Sequence, residues 1–188
     1  MKEIFLSASI PVEGRGDYFK TSEPYLIQLA VKELAEFAFA NGFKLVWGGH
    51  PAITPMIESI CLDMNCNYKE HVLVYQSKFF EGMFPSSNKS FESIKYTKKH
   101  SSIEKSLFVM RREMISRENI VAAVFIGGME GIFQEYKLFS KYQRDKVVIA
   151  LGITGGATQV LSNKLKPDSD IGNSANFSRI YREKLKIE

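Results

Sequence analysis

The sequence predicts an α/β domain with one mostly parallel sheet of five strands in the order 3-2-1-4-5 and helices on both faces. Three observations predict it. Strand-sized apolar runs alternate with stretches of helical period along the whole chain. The runs are almost continuously apolar, as in parallel strands buried on both faces. Several of them end in small residues, as strands do where an open sheet borders a ligand crevice. With 188 residues, 45% of them hydrophobic and 24% charged, the chain suits one buried core, so 1–188 reads as a single domain.

The elements follow in order. Lys2 to Ala8 is the first strand, and Pro24 to Ala40 the first helix, with Leu26, Leu29, Ala30, Leu34 and Phe37 at helical spacing, Ser22 as its expected cap and Gly42 as its stop. Phe43 to Trp47 is the second strand, ending at Gly48 and Gly49, and a helix over Pro51 to Asn65 follows. The third strand, His71 to Tyr75, leads into a polar and aromatic stretch over 77–101 that is too long for an ordinary connection and reads as a long loop or lid. Helix Ser102 to Ser116, strand Val121 to Ile126, helix Met129 to Tyr142, strand Lys146 to Leu151 and helix Gly156 to Leu161 complete the alternation. A charged C-terminal helix over 174–188 is expected to pack by Ile180, Tyr181 and Leu185.

Composition narrows the function. No apolar run can span a bilayer and the start MKEIFLSASI lacks the shape of a signal peptide, so a cytoplasmic protein is expected. Cys61 and Cys66 sit five residues apart in one expected helix and read as packing residues. His71 and His100 have no clustered partners, so neither a metal nor a cofactor is expected. The net charge of +4 suits an anionic small molecule better than a nucleic acid.

The strand ends Ser7-Ala8-Ser9, Gly48-Gly49, Gly127-Gly128 and Thr154-Gly155-Gly156 fall on the carboxyl edge of the expected sheet. In the expected order the first and fourth strands flank the switch point, which sets Ser9 opposite Gly127. The run VFIGGMEGIFQE at 124–135 empties a strand into Gly127, Gly128 and Gly131 before a helix restarts, the arrangement that brings a helix N-terminus to an anion. A phosphate is therefore expected against residues 127–131, which include Met129 and Glu130, on backbone N–H groups. His50, next to Gly49, is a candidate contact at the same edge. Turn-making glycines alone would produce part of this pattern.

VWGGHPAITPMIES at 46–59, MRREM at 110–114 and IGGMEGIFQEY at 126–136 together resemble the SLOG superfamily, the Rossmann-like group that contains the lonely-guy phosphoribohydrolases and a DNA-processing branch. With IFLSASIP and GITGGATQ, the resemblance runs over most of residues 1–165 and is nearest to SLOG domains of prokaryotic conflict systems, Thoeris-type antiviral defence among them. The resemblance implies a single Rossmann-like domain and an oligomer, a homodimer or higher. This chain departs from the enzymes' PGGxGTxxE element: Ile126 replaces the proline, an extra residue separates the glycines, and Ile132 replaces the threonine. The Arg-Lys pair becomes Arg111-Arg112, while Glu135 is kept four residues after Gly131.

Cleavage of an N-glycosidic bond builds positive charge on the ribose, which a carboxylate such as Glu135 can stabilise, with Arg111 on the phosphate. The same two residues suit the binding of an intact nucleotide, or can simply brace two helices. The altered motif favours a nucleotide-sensing domain that acts through an effector, either a separate protein or another part of a longer chain from which this domain is excised. A nucleoside 5'-monophosphate phosphoribohydrolase is the alternative, and a DNA-binding protein the third reading. Phe79, Phe80, Phe84, Phe91 and Tyr96 stand among lysines and suit either a lid over a base or an anchored loop. Leu107, Phe108 and Met114 offer an apolar face for self-association.

Overall fold

The computed structural model of the chain describes residues 1–84, 93–166 and 169–185. β1 (Glu3–Ser9) enters the centre of the sheet, and α1 (Pro24–Ala40) returns to β2 (Lys44–Trp47). α2 (Thr54–Asp63) and the single turn α3 (Tyr68–His71) lead to β3 (Val72–Ser77). After a 3-10 segment, Lys78–Met83, come β4 (Ile94–Thr97), α4 (Ile103–Ile115), β5 (Ile120–Gly127) and α5 (Gly131–Tyr142). β6 (Val147–Leu151), α6 (Gly156–Leu165), α7 (Ser169–Asn173) and α8 (Phe177–Lys184) end the described chain.

The sheet has six strands in the order β4-β3-β2-β1-β5-β6, and every pairing is parallel. The five expected strands hold their expected order. The sixth, β4, corrects the reading of 77–101 as a loop: it pairs the edge of β3, seats Thr97 in the interior and lays Lys95 over the Tyr75 ring at 5.3 Å. Phe79 packs on Phe80 and Phe84 on Tyr96, both with centroids 5.3 Å apart, and Lys99 covers Phe79. Phe91 lies outside the described residues.

Period-two alternation along the strands fills two apolar layers. Ile4, Leu6, Val124 and Ile126 face α1, α2 and α8, whereas Phe5, Phe125 and Ala123 face α4, α5 and α6. Tyr181 of α8 is fully buried and donates its hydroxyl to the Ala30 carbonyl at 2.8 Å, which fastens the C-terminal helix to α1. Met114, expected on an associating face, is instead buried in the second layer, while Phe108 remains 49% exposed. The Ser22 hydroxyl makes no cap: Glu23 takes the N-cap position of α1, and the buried Ser22 oxygen has no hydrogen-bond partner. Cys61 is buried, its thiol pushed up to about 12 chiefly by desolvation, and it donates to the Cys66 carbonyl. No helix among the described residues is long and apolar enough to cross a membrane.

Candidate functional site

The chain reverses its strand order between β1 and β5, and there Ser9 pairs with Gly127 in register. The glycine set divides at this point into two groups. Gly127 N–H donates to Thr154 Oγ1 at 2.8 Å, the Thr154 hydroxyl donates to the Leu151 carbonyl at 2.6 Å, and Gly128 N–H donates to the Ser9 carbonyl at 2.8 Å. The Gly128 carbonyl accepts from Ala157 N–H at 2.9 Å. Gly155 has φ +73°, and a β-carbon there would stand 1.8 Å from the Thr21 carbonyl oxygen. Gly127, Gly128, Thr154, Gly155 and Gly156 thus form a closed packing junction, and none of them lines the cleft.

A cleft of about 330 Å³ opens beside that junction. The end of β1 gives Ser7 and Ser9, the end of β2 gives Gly48, Gly49 and His50, α4 gives Arg111, and the start of α5 gives Met129, Glu130, Gly131 and Glu135. Arg112, one residue round the helix, is exposed and outside it. Arg15 and Tyr18 also line the cleft, on the segment between β1 and α1. Sequence reasoning missed both; the one signal was an arginine between two glycines, Gly14 and Gly16, just after a strand.

Glu135 lies at the centre of the polar groups. Its Oε2 accepts a short hydrogen bond from the Ser7 hydroxyl, and its Oε1 accepts from Arg111 Nε at 3.0 Å. Arg111 Nη1 donates to Gln134 Oε1. The third nitrogen, Nη2, lies against Gly131, where a β-carbon would come within 2.9 Å of it. The last glycine of the motif therefore lets a guanidinium rest on the start of α5. At the start of α5 the Ile132 and Phe133 N–H groups already donate to the Met129 and Glu130 carbonyls, at 2.9 and 3.2 Å, so the helix offers an anion chiefly the positive end of its dipole. Two positive features converge there, and an anion complements both.

Across the mouth, the Tyr18 hydroxyl donates to Glu130 Oε2 at 2.8 Å. This bond to a carboxylate, aided by burial and by the Glu130 charge, raises the phenol above its ordinary range. His50 is lowered, first by desolvation and second by the charge of Arg15. Among the described residues, no group of three or more His, Cys, Asp or Glu side chains is arranged to hold a metal.

The model of the SLOG cluster3 family matches residues 17–185. The chain belongs to the SLOG cluster3 family. No curated protein matches it in sequence. Two solved structures resemble this SLOG chain. The X-ray structure of TM1055, a structural genomics target, is 19% identical over 87% of this chain and 81% of its own, with a TM-score of 0.54. DNA processing protein A from Helicobacter pylori, described for its single-stranded DNA binding mode, is 15% identical over 98% of this chain and 80% of its own, with a TM-score of 0.63. At these identities the two likenesses establish the Rossmann-like fold of the SLOG chain.

Proposed function

We propose that the cleft binds a nucleotide-derived ligand, and that the chain is a signal-sensing SLOG domain of prokaryotic antiviral defence that acts through an effector protein. The observation that carries the binding is the Arg111 guanidinium resting on Gly131 at the start of α5. A phosphate there meets a charge-assisted donor and the helix dipole together. Ser7, Glu130 and Glu135 offer hydroxyl and carboxylate groups suited to the ribose. The defence role rests on the resemblance of the motif set.

The test is a thermal-shift screen of cyclic and linear adenine nucleotides, ADP-ribose derivatives and monophosphates, followed by calorimetry on Arg111→Ala. A ligand at a hundred times its dissociation constant stabilises by about 2.7 kcal/mol. Arg111→Ala is expected to weaken binding at least tenfold and to flatten its salt dependence; unchanged affinity would end the assignment.

One observation favours hydrolysis as the second reading: Ser7 and Arg111 fix both Glu135 oxygens at the cleft. Release of free base from any ribonucleoside monophosphate, abolished by Glu135→Gln, would replace sensing with phosphoribohydrolase activity. The case against nucleic acid rests on a modest net charge without a clear basic helix, and the single-stranded DNA binding described for the DNA-processing neighbour runs against it. The cleft still pairs Arg15 and Arg111 with Glu130 and Glu135, so it lacks the basic track that follows a phosphate backbone. Anisotropy titration with an oligothymidylate tests this, and no tight binding is expected.

A further inference from the structure

The wall of the cleft opposite Arg111 is the end of β2, and its geometry is tightly specified. Gly49 turns with φ +71°, and a β-carbon there would press within 3.1 Å of the Gln76 and Val74 side chains. The His50 main chain is fully engaged: its N–H donates to Thr54 Oγ1 at 3.0 Å, and its carbonyl accepts from Ile53 at 3.0 Å and Thr54 at 2.8 Å. Thr54 Oγ1 is itself steadied by the indole N–H of Trp47 at 3.4 Å. The His50 ring is held as well, because Nδ1 accepts the Ala52 N–H at 3.3 Å. A ring nitrogen that accepts carries no hydrogen, so the neutral imidazole bears its proton on Nε2.

Burial first and the charge of Arg15 second disfavour the protonated ring; the other charged groups that line the cleft are Arg111, Glu130 and Glu135. With Nδ1 engaged by Ala52, Nε2 is the remaining polar atom of this cleft-lining ring, and it can donate but not accept. An amino group of a base cannot pair with it, whereas a ring nitrogen or keto oxygen can. Beside it, Gly48 leaves room for the Met110 methyl, whose distance from a β-carbon there would be 3.5 Å, and Trp47 and Leu6 continue an apolar wall. β2 and β5 lie one strand apart, roughly 10 Å, the span from a 5'-phosphate across a ribose to a base.

We propose that His50 is the specificity-determining donor of the cleft, reading N7 of a purine base that lies against Gly48 and Met110. This rests on the nucleotide reading above. N7 is the acceptor that adenine and guanine share on the major-groove edge of the base, and pyrimidines have no counterpart to it.

Calorimetry of the wild type, His50→Leu and His50→Gln with AMP, GMP, their 7-deaza analogues, UMP and ribose 5-phosphate tests it. The 7-deaza change, one ring N to CH, is expected to weaken wild-type binding about five- to tenfold. His50→Leu should weaken AMP by a similar factor and bind AMP and 7-deaza-AMP equally, and His50→Gln should restore part of the discrimination through its amide N–H. An equal 7-deaza loss in wild type and His50→Leu overturns the proposal, as does UMP binding as tightly as AMP. Weakening of ribose 5-phosphate by His50→Leu would move His50 to the phosphate and overturn it too. If neither AMP nor GMP binds the wild type this proposal is overturned, and the nucleotide reading falls with it only if the cyclic nucleotides and ADP-ribose derivatives of the screen fail as well; purine binding that ignores His50 leaves that reading standing and removes this one alone.

Discussion

Arg111 and Arg117 make ion pairs at opposite edges of one sheet, and the difference between the pairs separates brace from binding site. Arg117 closes its fork: Nε meets Glu3 Oε2 at 2.7 Å, Nη2 meets Glu3 Oε1 at 2.5 Å and Nη1 donates to the Tyr75 hydroxyl at 3.2 Å. Glu3 is 3% exposed at the amino end of β1, and its bond to Arg117 is the main reason the guanidinium holds its proton more tightly than usual. Arg111 gives Glu135 a single nitrogen and lays another on a helix start that faces open cleft. A fork with all three nitrogens bonded inside the fold serves as a brace. One whose Nη2 rests on a helix start that lines the cleft can also meet a ligand.

The largest effect expected from this contrast is on stability. Arg117→Ala leaves a buried Glu3 carboxylate without its partner and should cost about 3–5 kcal/mol in urea unfolding. Arg111→Ala leaves Glu135, 15% exposed, still bonded to Ser7, so a smaller loss of about 1–3 kcal/mol is expected without ligand. The reverse ranking would break the distinction between brace and site.

A comparison of two glycines sharpens it next. Gly155→Ala drives a β-carbon into the Thr21 carbonyl at a positive φ, and should destabilise by about 2–4 kcal/mol. At Gly131 the obstacle is the far end of the Arg111 side chain, which can move. Gly131→Ala should therefore fold at least as well as wild type, with a helix-propensity gain of up to about 1 kcal/mol. Its ligand-induced thermal shift should shrink, because the guanidinium is displaced from the helix start. A full shift in that variant would mean that the seat of Arg111 on the helix does not matter.

These two glycines also mark what could be read in the chain beforehand. Gly-rich strand ends were legible because a continuous apolar run broken by glycine has few other meanings in an α/β protein. Which glycine packs and which faces the cleft depends on what lies opposite, Thr21 or Arg111, and such neighbours are distant in sequence. The helix Pro24–Ala40 was readable to the residue from its period and its leading proline. β4 was not, since Ile94–Thr97 is four residues long and alternates poorly, with Lys95 and Tyr96 both exposed. Ser7, Arg111 and Glu135 were each legible as candidates by motif, but the bonds that join them exist only once β1, α4 and α5 are packed. Tyr18 belongs to a short 3-10 helix, Asp17–Thr21, with Arg15 just before it, and the fold of this segment back onto α5, where Tyr18 meets Glu130 and Phe133, brings them to the cleft.

The smallest expected effect concerns pH, and it falls on the cleft edge, where His50 lies. Burial first and Arg15 second lower the His50 pKa in the folded chain, so the native state takes up a proton less readily than the unfolded one, whose histidine titrates near about 6.5. Above that pH both states are neutral and His50 contributes nothing to the pH slope. Below it the unfolded chain binds a proton that the native cleft refuses, and stability falls with pH until the depressed folded value is passed. The melting temperature of His50→Gln should therefore drop less than that of wild type as pH is lowered from 7 to 5, the carboxylates common to both cancelling in the comparison. Arg15→Gln should recover a smaller part of the difference, since it removes only the lesser cause. Parallel wild-type and His50→Gln curves would show that the ring charges freely in the folded chain, and the fixed neutral donor on the cleft wall would have to be abandoned.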